Sequence, residues 1–411
     1  LIGNFFKSIG ANRVVMALSI ARLGDAVGNS ILFVVIPLYV AKLPAPTVGL
    51  PESVRVGILI SAYGLTNALL QPIMGGLSDR TGKRKLFIEI GLMLMGVGTL
   101  LFLVAGSYLH LLLFRLLQGI GVALTISASL TIMAIATKKH TRGGSMGIFT
   151  TMRMVGFALG PLIGGYLHDN LGFQSDFLTG AAFIFLGLLM VQIWIQADSP
   201  PKKKNTQDSF RIIDTRLLSS GIIGAGFATF LMASAFSMLV PLETQINARL
   251  NQTAFDFGLT FSALIVSRLI FQIPFGRMSD RVGRKPLILF GLILMAPATI
   301  LIGYVGTTFQ LIGTRVGQGL ASAAIAGPAF AIAADLAAEG GEGRQMSIVT
   351  MGFGLGIALG PLLAGLLAVY SFELPFLIGG LLSLVGAWVV FRFVPETVQQ
   401  GNMLQGPGEG S

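Results

Sequence analysis

The sequence predicts an all-α membrane protein in which twelve transmembrane helices form two pseudo-symmetric six-helix bundles. Three observations carry that expectation. Of the 411 residues, 53% are apolar and 11% charged, and mean hydropathy is +0.80, whereas soluble domains carry about 25% charged residues. Twelve apolar runs are long enough to cross a bilayer, which takes about 20 helical residues. Three segments recur at an offset of about 200 residues, so the second half of the chain copies the first.

The first run, 14–41, is of membrane length but holds Arg22 and Asp25. It therefore reads as an insertion signal that stays in place rather than a cleaved leader. Runs at 55–77, 86–105, 108–136, 146–168 and 175–197 follow, separated by breaks rich in Gly, Pro, Asp or Lys/Arg. A polar stretch then carries Pro200, Pro201 and three lysines at 202–204, after which runs resume at 217–246, 255–276, 286–305, 308–336, 346–370 and 374–394. The expected organisation is a first bundle at 1–200, a linker at 201–211, a second bundle at 212–395 and a disordered Gly/Gln-rich tail at 396–411.

The duplication is clearest in the loops after the second and eighth runs, GGLSDRTGKRK from Gly75 and GRMSDRVGRK from Gly276. FRLLQGIGVA at 114–123 is echoed by TRVGQGLASA at 314–323, and GFALGPLIGG at 156–165 by GIALGPLLAG at 356–365. With both termini inside, the inner segments hold 20 Lys and Arg and the outer loops three, Lys42, Arg55 and Arg249. That bias predicts a multi-pass protein of the cytoplasmic membrane with both termini cytoplasmic. It also accounts for the net charge of +10 without a nucleic-acid surface, because the basic residues are dispersed among short loops.

Five arginines, Arg22, Arg115, Arg153, Arg268 and Arg315, fall inside the runs, as does Asp25. A charge at the bilayer centre costs at least about 2.5 kcal/mol on insertion scales, so each needs a partner or a watery cavity. Asp25 lies roughly 16 Å along the first helix and Arg115 roughly 12 Å along the fourth at about 1.5 Å per residue, both near mid-membrane, and Asp25 is the acid expected to face Arg115. Arg22 and Asp25, three residues apart, also read as a static pair within one helix. The halves diverge at polar positions: Arg153 corresponds to Phe353, Arg268 to Asn67 and Asp25 to Thr229. Asn67, Arg153, Arg268 and Arg315 are therefore candidates for a substrate cavity. There is no cysteine, and His110, His140 and His168 lack metal-ligand spacing. No cofactor, metal or enzymatic chemistry is expected, since no nucleophile and base arrangement or phosphate loop accompanies the helices.

The paired loop motif resembles the signature of the major facilitator superfamily. It is matched by Gly75, Asp79, Arg80, Gly82, Lys83 and Arg84, and again by Gly276, Asp280, Arg281, Gly283, Arg284 and Lys285. Within that family the chain resembles the twelve-helix drug:proton antiporters, of the tetracycline-exporter type. GDAVGNSILFVVIPLYV around Asp25 is similar to their first helix. RLLQGIGVA places Arg115, Gln118, Gly119 and Gly121 on their fourth-helix motif, and Gly156, Gly160, Pro161, Gly164 and Gly165 match their fifth-helix signature. The resemblance implies proton coupling at Asp25, tuned by Arg115. It also implies a cytoplasmic latch in which Asp79 meets the start of helix eleven near 344–347 and Asp280 the start of helix five near 143–146. The expected function is export of a small, partly apolar molecule by proton antiport, in a monomer whose partners are substrate, protons and the lipid bilayer. The excess of buried arginine equally suits an importer or facilitator of a small organic anion or sugar. A non-transporting receptor or scaffold is a more distant alternative.

Overall fold

The computed structural model describes residues 12–43, 49–137, 142–196, 219–336 and 342–398. The linker 201–211, His140 and the tail beyond residue 398 lie outside them. The first half comprises α1 (Arg13–Lys42), α2 (Glu52–Thr81), α3 (Arg84–Leu101), α4 (Tyr108–Ala136), α5 (Arg142–Leu171) and α6 (Phe173–Trp194). The second comprises α7 (Ser220–Leu250), α8 (Ala254–Val282), α9 (Arg284–Ile300), α10 (Thr308–Asp335), α11 (Glu342–Leu367) and α12 (Leu374–Phe393). Twelve spans among the described residues are long and apolar enough to cross a membrane, and no strand occurs among them.

The sequence repeat is also a repeat of helix ends. Ser107 accepts a hydrogen bond from the His110 amide (3.4 Å) at the start of α4, and Thr307 accepts one from Gln310 (3.2 Å) at the start of α10. Gly82 and Gly283, from the two copies of the loop motif, adopt φ of 68° and 116° and turn the chain into α3 and α9. A side chain is strained in that backbone region, which explains a glycine at both places. In two places the structure departs from the sequence reading. The seventh run is not one helix: a 3-10 turn at Val240–Leu242 separates Ser220–Ser237 from Glu243–Leu250, with Pro241 supplying no backbone donor there. Arg55, expected in an outer loop, sits in the first turns of α2 and is 7% exposed.

The two halves meet tightly at the end remote from the chain termini, called here the far side. One apolar cluster spans the junction, joining Ile31, Val35, Leu59 and Met154 of the first half to Phe236, Val240, Phe261 and Leu264 of the second. Ser53 donates to the Gly365 carbonyl (3.0 Å), Ser61 to that of Ala358 and Ser262 to that of Ala158. Asp169, near the end of α5, accepts from the amides of Ala254 (3.2 Å) and Phe255 (2.9 Å), the exposed donors at the start of α8. Each of these cross-half contacts lies on the far side, where the molecule is shut.

Candidate functional site

The site is built on α1 and α5, which approach so closely that their backbones touch. A Cβ at Gly156 would lie 2.8 Å from the Leu23 carbonyl oxygen, one at Gly160 2.7 Å from that of Val27, and one at Gly164 3.1 Å from the Ile31 side chain. Three of the five fifth-helix signature residues therefore pack against α1 within the first half. The other two face across: Gly165 abuts Ala254 and Phe255 of α8, and the Pro161 carbonyl abuts Gly258. The second copy repeats the division, with Gly356 and Gly360 on α7, and Gly365 and Pro361 on α2.

Asp25 sits on this tight seam, 2% exposed. Arg22, one turn before it, forms an ion pair with its carboxylate, and the Arg22 guanidinium also lies 5.9 Å from the Phe149 ring. Arg115 does not reach Asp25, contrary to the pairing expected from depth alone. Its guanidinium donates to Asn29 Oδ1 (3.4 Å) and Gln118 Oε1 (3.2 Å) and lies 5.4 Å from the Tyr63 ring, while Tyr63 accepts from Asn29 Nδ2 (2.8 Å). Gln118 in turn donates to Thr99 (2.9 Å). Gly119 lets α4 touch the Tyr63 carbonyl of α2, and Gly121 the Gly91 carbonyl of α3. The fourth-helix motif thus ties α1 to α4 into one body, with Asn29, one turn from Asp25, as the link.

Arg315 is the counterpart of Arg115, and it too departs from expectation. It is fully buried and donates to the Phe236 carbonyl (3.0 Å) and Gln318 (2.7 Å), with Gln318 donating to Thr299 (3.0 Å). A backbone carbonyl takes the place of an acid, while Arg315 Nε and Nη2 have no hydrogen-bond partner and the guanidinium lies 5.4 Å from the ring of Phe261, a residue of the cluster that spans the junction.

Arg153 and Arg268 differ from these two. Both are half-buried, and both rest on one ring: Arg153 of α5 lies 5.9 Å and Arg268 of α8 5.5 Å from the centroid of Phe353 on α11. Arg153 also covers Phe157 (5.3 Å) and interacts electrostatically with Arg22, Asp25 and Arg268. Neither Nε has a hydrogen-bond partner, which is equally true of Arg115 and Arg315, and Asn67 Oδ1 and Gln272 Oε1 also have none. Asn67 stands one turn from Gly64, which touches Ala358 of α11. Two cations contributed by opposite halves thus share one aromatic face.

The loop motif brings Arg284 together with Asp280 and, through Nε, with Asp335 (3.3 Å). Glu396 accepts from the Arg284 (2.9 Å) and Lys285 (3.1 Å) amides. Asp280 therefore turns to its own loop and not to α5. The Asp79 side chain and those at 342–345 lie outside the described residues; Arg80 and Arg84 each have partners. Sequence reasoning missed Phe353, Tyr63, Asn29, Asp169 and Gln272. Glu243, at the start of the short helix after the break in α7, is fully buried. Among the described residues no group of three or more His, Cys, Asp or Glu side chains is arranged to hold a metal ion.

The sequence profile of the Major Facilitator Superfamily matches residues 18–249 and 225–404. Among curated proteins, the chain is 27% identical over 344 residues to the chromaffin granule amine transporter of Rattus norvegicus, covering 82% of this chain but 65% of that protein, so it spans just under two thirds of that relative's length. It is 27% identical over 364 residues to the multidrug resistance protein MdtG of Enterobacter lignolyticus, covering 87% and 86% of the two chains. Among solved structures, a bacterial homologue of the human lysosomal transporter Spinster, in an inward-facing and unoccupied conformation, shares the fold. Its TM-score is 0.75 at 15% identity, over 92% of this chain and 95% of that one.

Proposed function

Because the chain belongs to the Major Facilitator Superfamily, whose members here are transporters, we propose that it exports a small, partly apolar molecule in exchange for protons by alternating access. The observation that carries this reading is Asp25, a carboxylate on the tight α1–α5 seam with Arg22 as its ion-pair partner and Arg153 in electrostatic reach. A proton arriving at Asp25 releases Arg22 and alters the field at Arg153, the residue through which the first half meets Phe353. Substrate in the cavity and proton on Asp25 are then linked through the same few side chains. The relatives named as amine and multidrug transporters support this reading. The lysine and arginine bias supports cytoplasmic termini, which makes the far side the outside and this state inward-facing.

A second reading is favoured by one observation, the unpaired cationic couple of Arg153 and Arg268 about Phe353. It is uptake of a small organic anion together with protons. The two readings predict opposite signs of linkage. A neutral or cationic substrate competes with the proton at Asp25, so its affinity falls as pH falls. An anion is bound more tightly once Asp25 is neutralised, so its affinity rises as pH falls. Proteoliposomes carrying an imposed pH gradient, read for proton and substrate flux across a panel of cations, neutral drugs and carboxylates, test both readings. Loss of proton-coupled flux for every class would remove Asp25 coupling altogether.

A further inference from the structure

Glu243 is a second acid that the exchange at Asp25 does not use. It opens the short helix that follows the break in α7 and is fully buried. Neither carboxyl oxygen meets strict hydrogen-bond geometry with a partner; the amide of Asn247, one turn on, is the one side-chain donor in its reach. Apolar side chains close around this segment, with Val34 and Leu38 of α1 packed on Leu242 and Ile246. The segment also touches α2 and α11, so four elements from both halves converge on it at the far-side closure.

The charged groups on the surrounding elements do not compensate Glu243. From α5, Asp169 acts on it electrostatically as a like charge. On α1 the cation at the far end, Lys42, lies over the Phe173 ring at 4.6 Å. On α2, Glu52 and Arg55 stand at the far end without an ion pair to Glu243, and Arg249 of its own helix is bound to Glu373 of the α12 region (2.8 Å). On α8, Asp256 is engaged with Thr253. The far half of α11 carries no titratable side chain between Gly352 and Leu367, and His168 pairs with Asp176 (3.1 Å).

We propose that Glu243 is a second proton-binding site, filled from the far-side water as that side closes and emptied into it as it opens. A carboxylate taken out of water without a partner is disfavoured by several kcal/mol, and Asp169 adds repulsion. The same Asp169 holds the α8 amides across the closure. A proton on Glu243 therefore removes the repulsion and lets that capping contact form, while its loss brings water back to the site and parts the halves. This goes beyond the coupling at Asp25 and does not depend on it.

The chain has no cysteine, so spin labels at Asn170→Cys and Tyr370→Cys report the far ends of α5 and α11 alone. In lipid nanodiscs, the label separation should lengthen as pH is raised from about 5 to about 9. It should stay short in Glu243→Gln, which keeps the neutral shape, and lengthen as before in Asp25→Asn. In the Asp25→Asn chain, one component of the protonated-carboxyl infrared band should be lost over the same pH range, and that component should be missing from the Asp25→Asn, Glu243→Gln double variant, which keeps buried Asp176 and serves for subtraction. A wild-type separation that does not respond to pH would overturn the proposal. So would a Glu243→Gln chain that opens like the wild type, or identical carboxyl bands with and without Glu243.

Discussion

Asp25 is balanced by a guanidinium on its own helix and influenced by another on α5, so removing its charge affects both. Asp25→Asn should abolish transport driven by a pH gradient while substrate binding or exchange survives in part; proton-driven flux at the wild-type rate would exclude this carboxylate as the coupling site. Arg115→Lys should slow transport about tenfold, the size of one lost charge-assisted hydrogen bond of about 1.5 kcal/mol, because a shorter side chain without a planar guanidinium cannot both reach Asn29 and Gln118 and lie flat over Tyr63. Initial-rate flux in proteoliposomes checks it. The buried charges were legible because an ionised group in an apolar run stands out whatever its surroundings. Their partners were not: depth along a helix axis says nothing about direction around it, and so Arg115 was assigned an acid that it does not touch. Phe353 stood out only as the counterpart of Arg153, one of 29 phenylalanines, with nothing in the sequence to show that two distant helices bring cations to its ring.

Helices α1 and α5 meet along a line of glycines, and the seam fails if any of those positions gains bulk. Gly160→Leu would drive a side chain into Ser30 and the Val27 carbonyl while leaving α5 as apolar as before, so the protein should insert normally and transport should fall to background. A fully active variant would detach this seam from the working cycle. At the far side, Asp169→Ala removes two charge-assisted bonds to the start of α8, each of about 1.5–3 kcal/mol. Far-side labelling should rise tenfold or more as a result, about what 1.4 kcal/mol delivers. Unchanged labelling would leave Asp169 as a surface cap only. The glycine pattern was readable because close approach demands small residues at helical spacing. The break in α7 was hidden, since hydropathy treats 217–246 as one continuous run and a single proline is tolerated in many membrane helices.

Two bundles of like design follow from a duplicated sequence, and at this scale the sequence was most informative: the offset repeats recur as matched caps, matched seams and matched arginine and glutamine pairs. How the bundles are disposed in any one state was not legible, because both ends of the seam are built from similar apolar residues. If the loop motif latches the terminus side, Asp79→Ala should favour the state in which that side is parted, and cysteines at the outer ends of α1 and α7 should become less accessible to an impermeant thiol reagent. Equal accessibility would remove the latch. The far-side closure has a further consequence for the surrounding lipid. Two bundles joined at one face swing about that joint when the opposite face opens, and the areas they displace in the two leaflets then become unequal, as with a wedge. Lateral pressure then acts on it as a ligand would: lipids with small head groups, which crowd the acyl region and relieve the interface, shift the balance between states without touching any residue of the site.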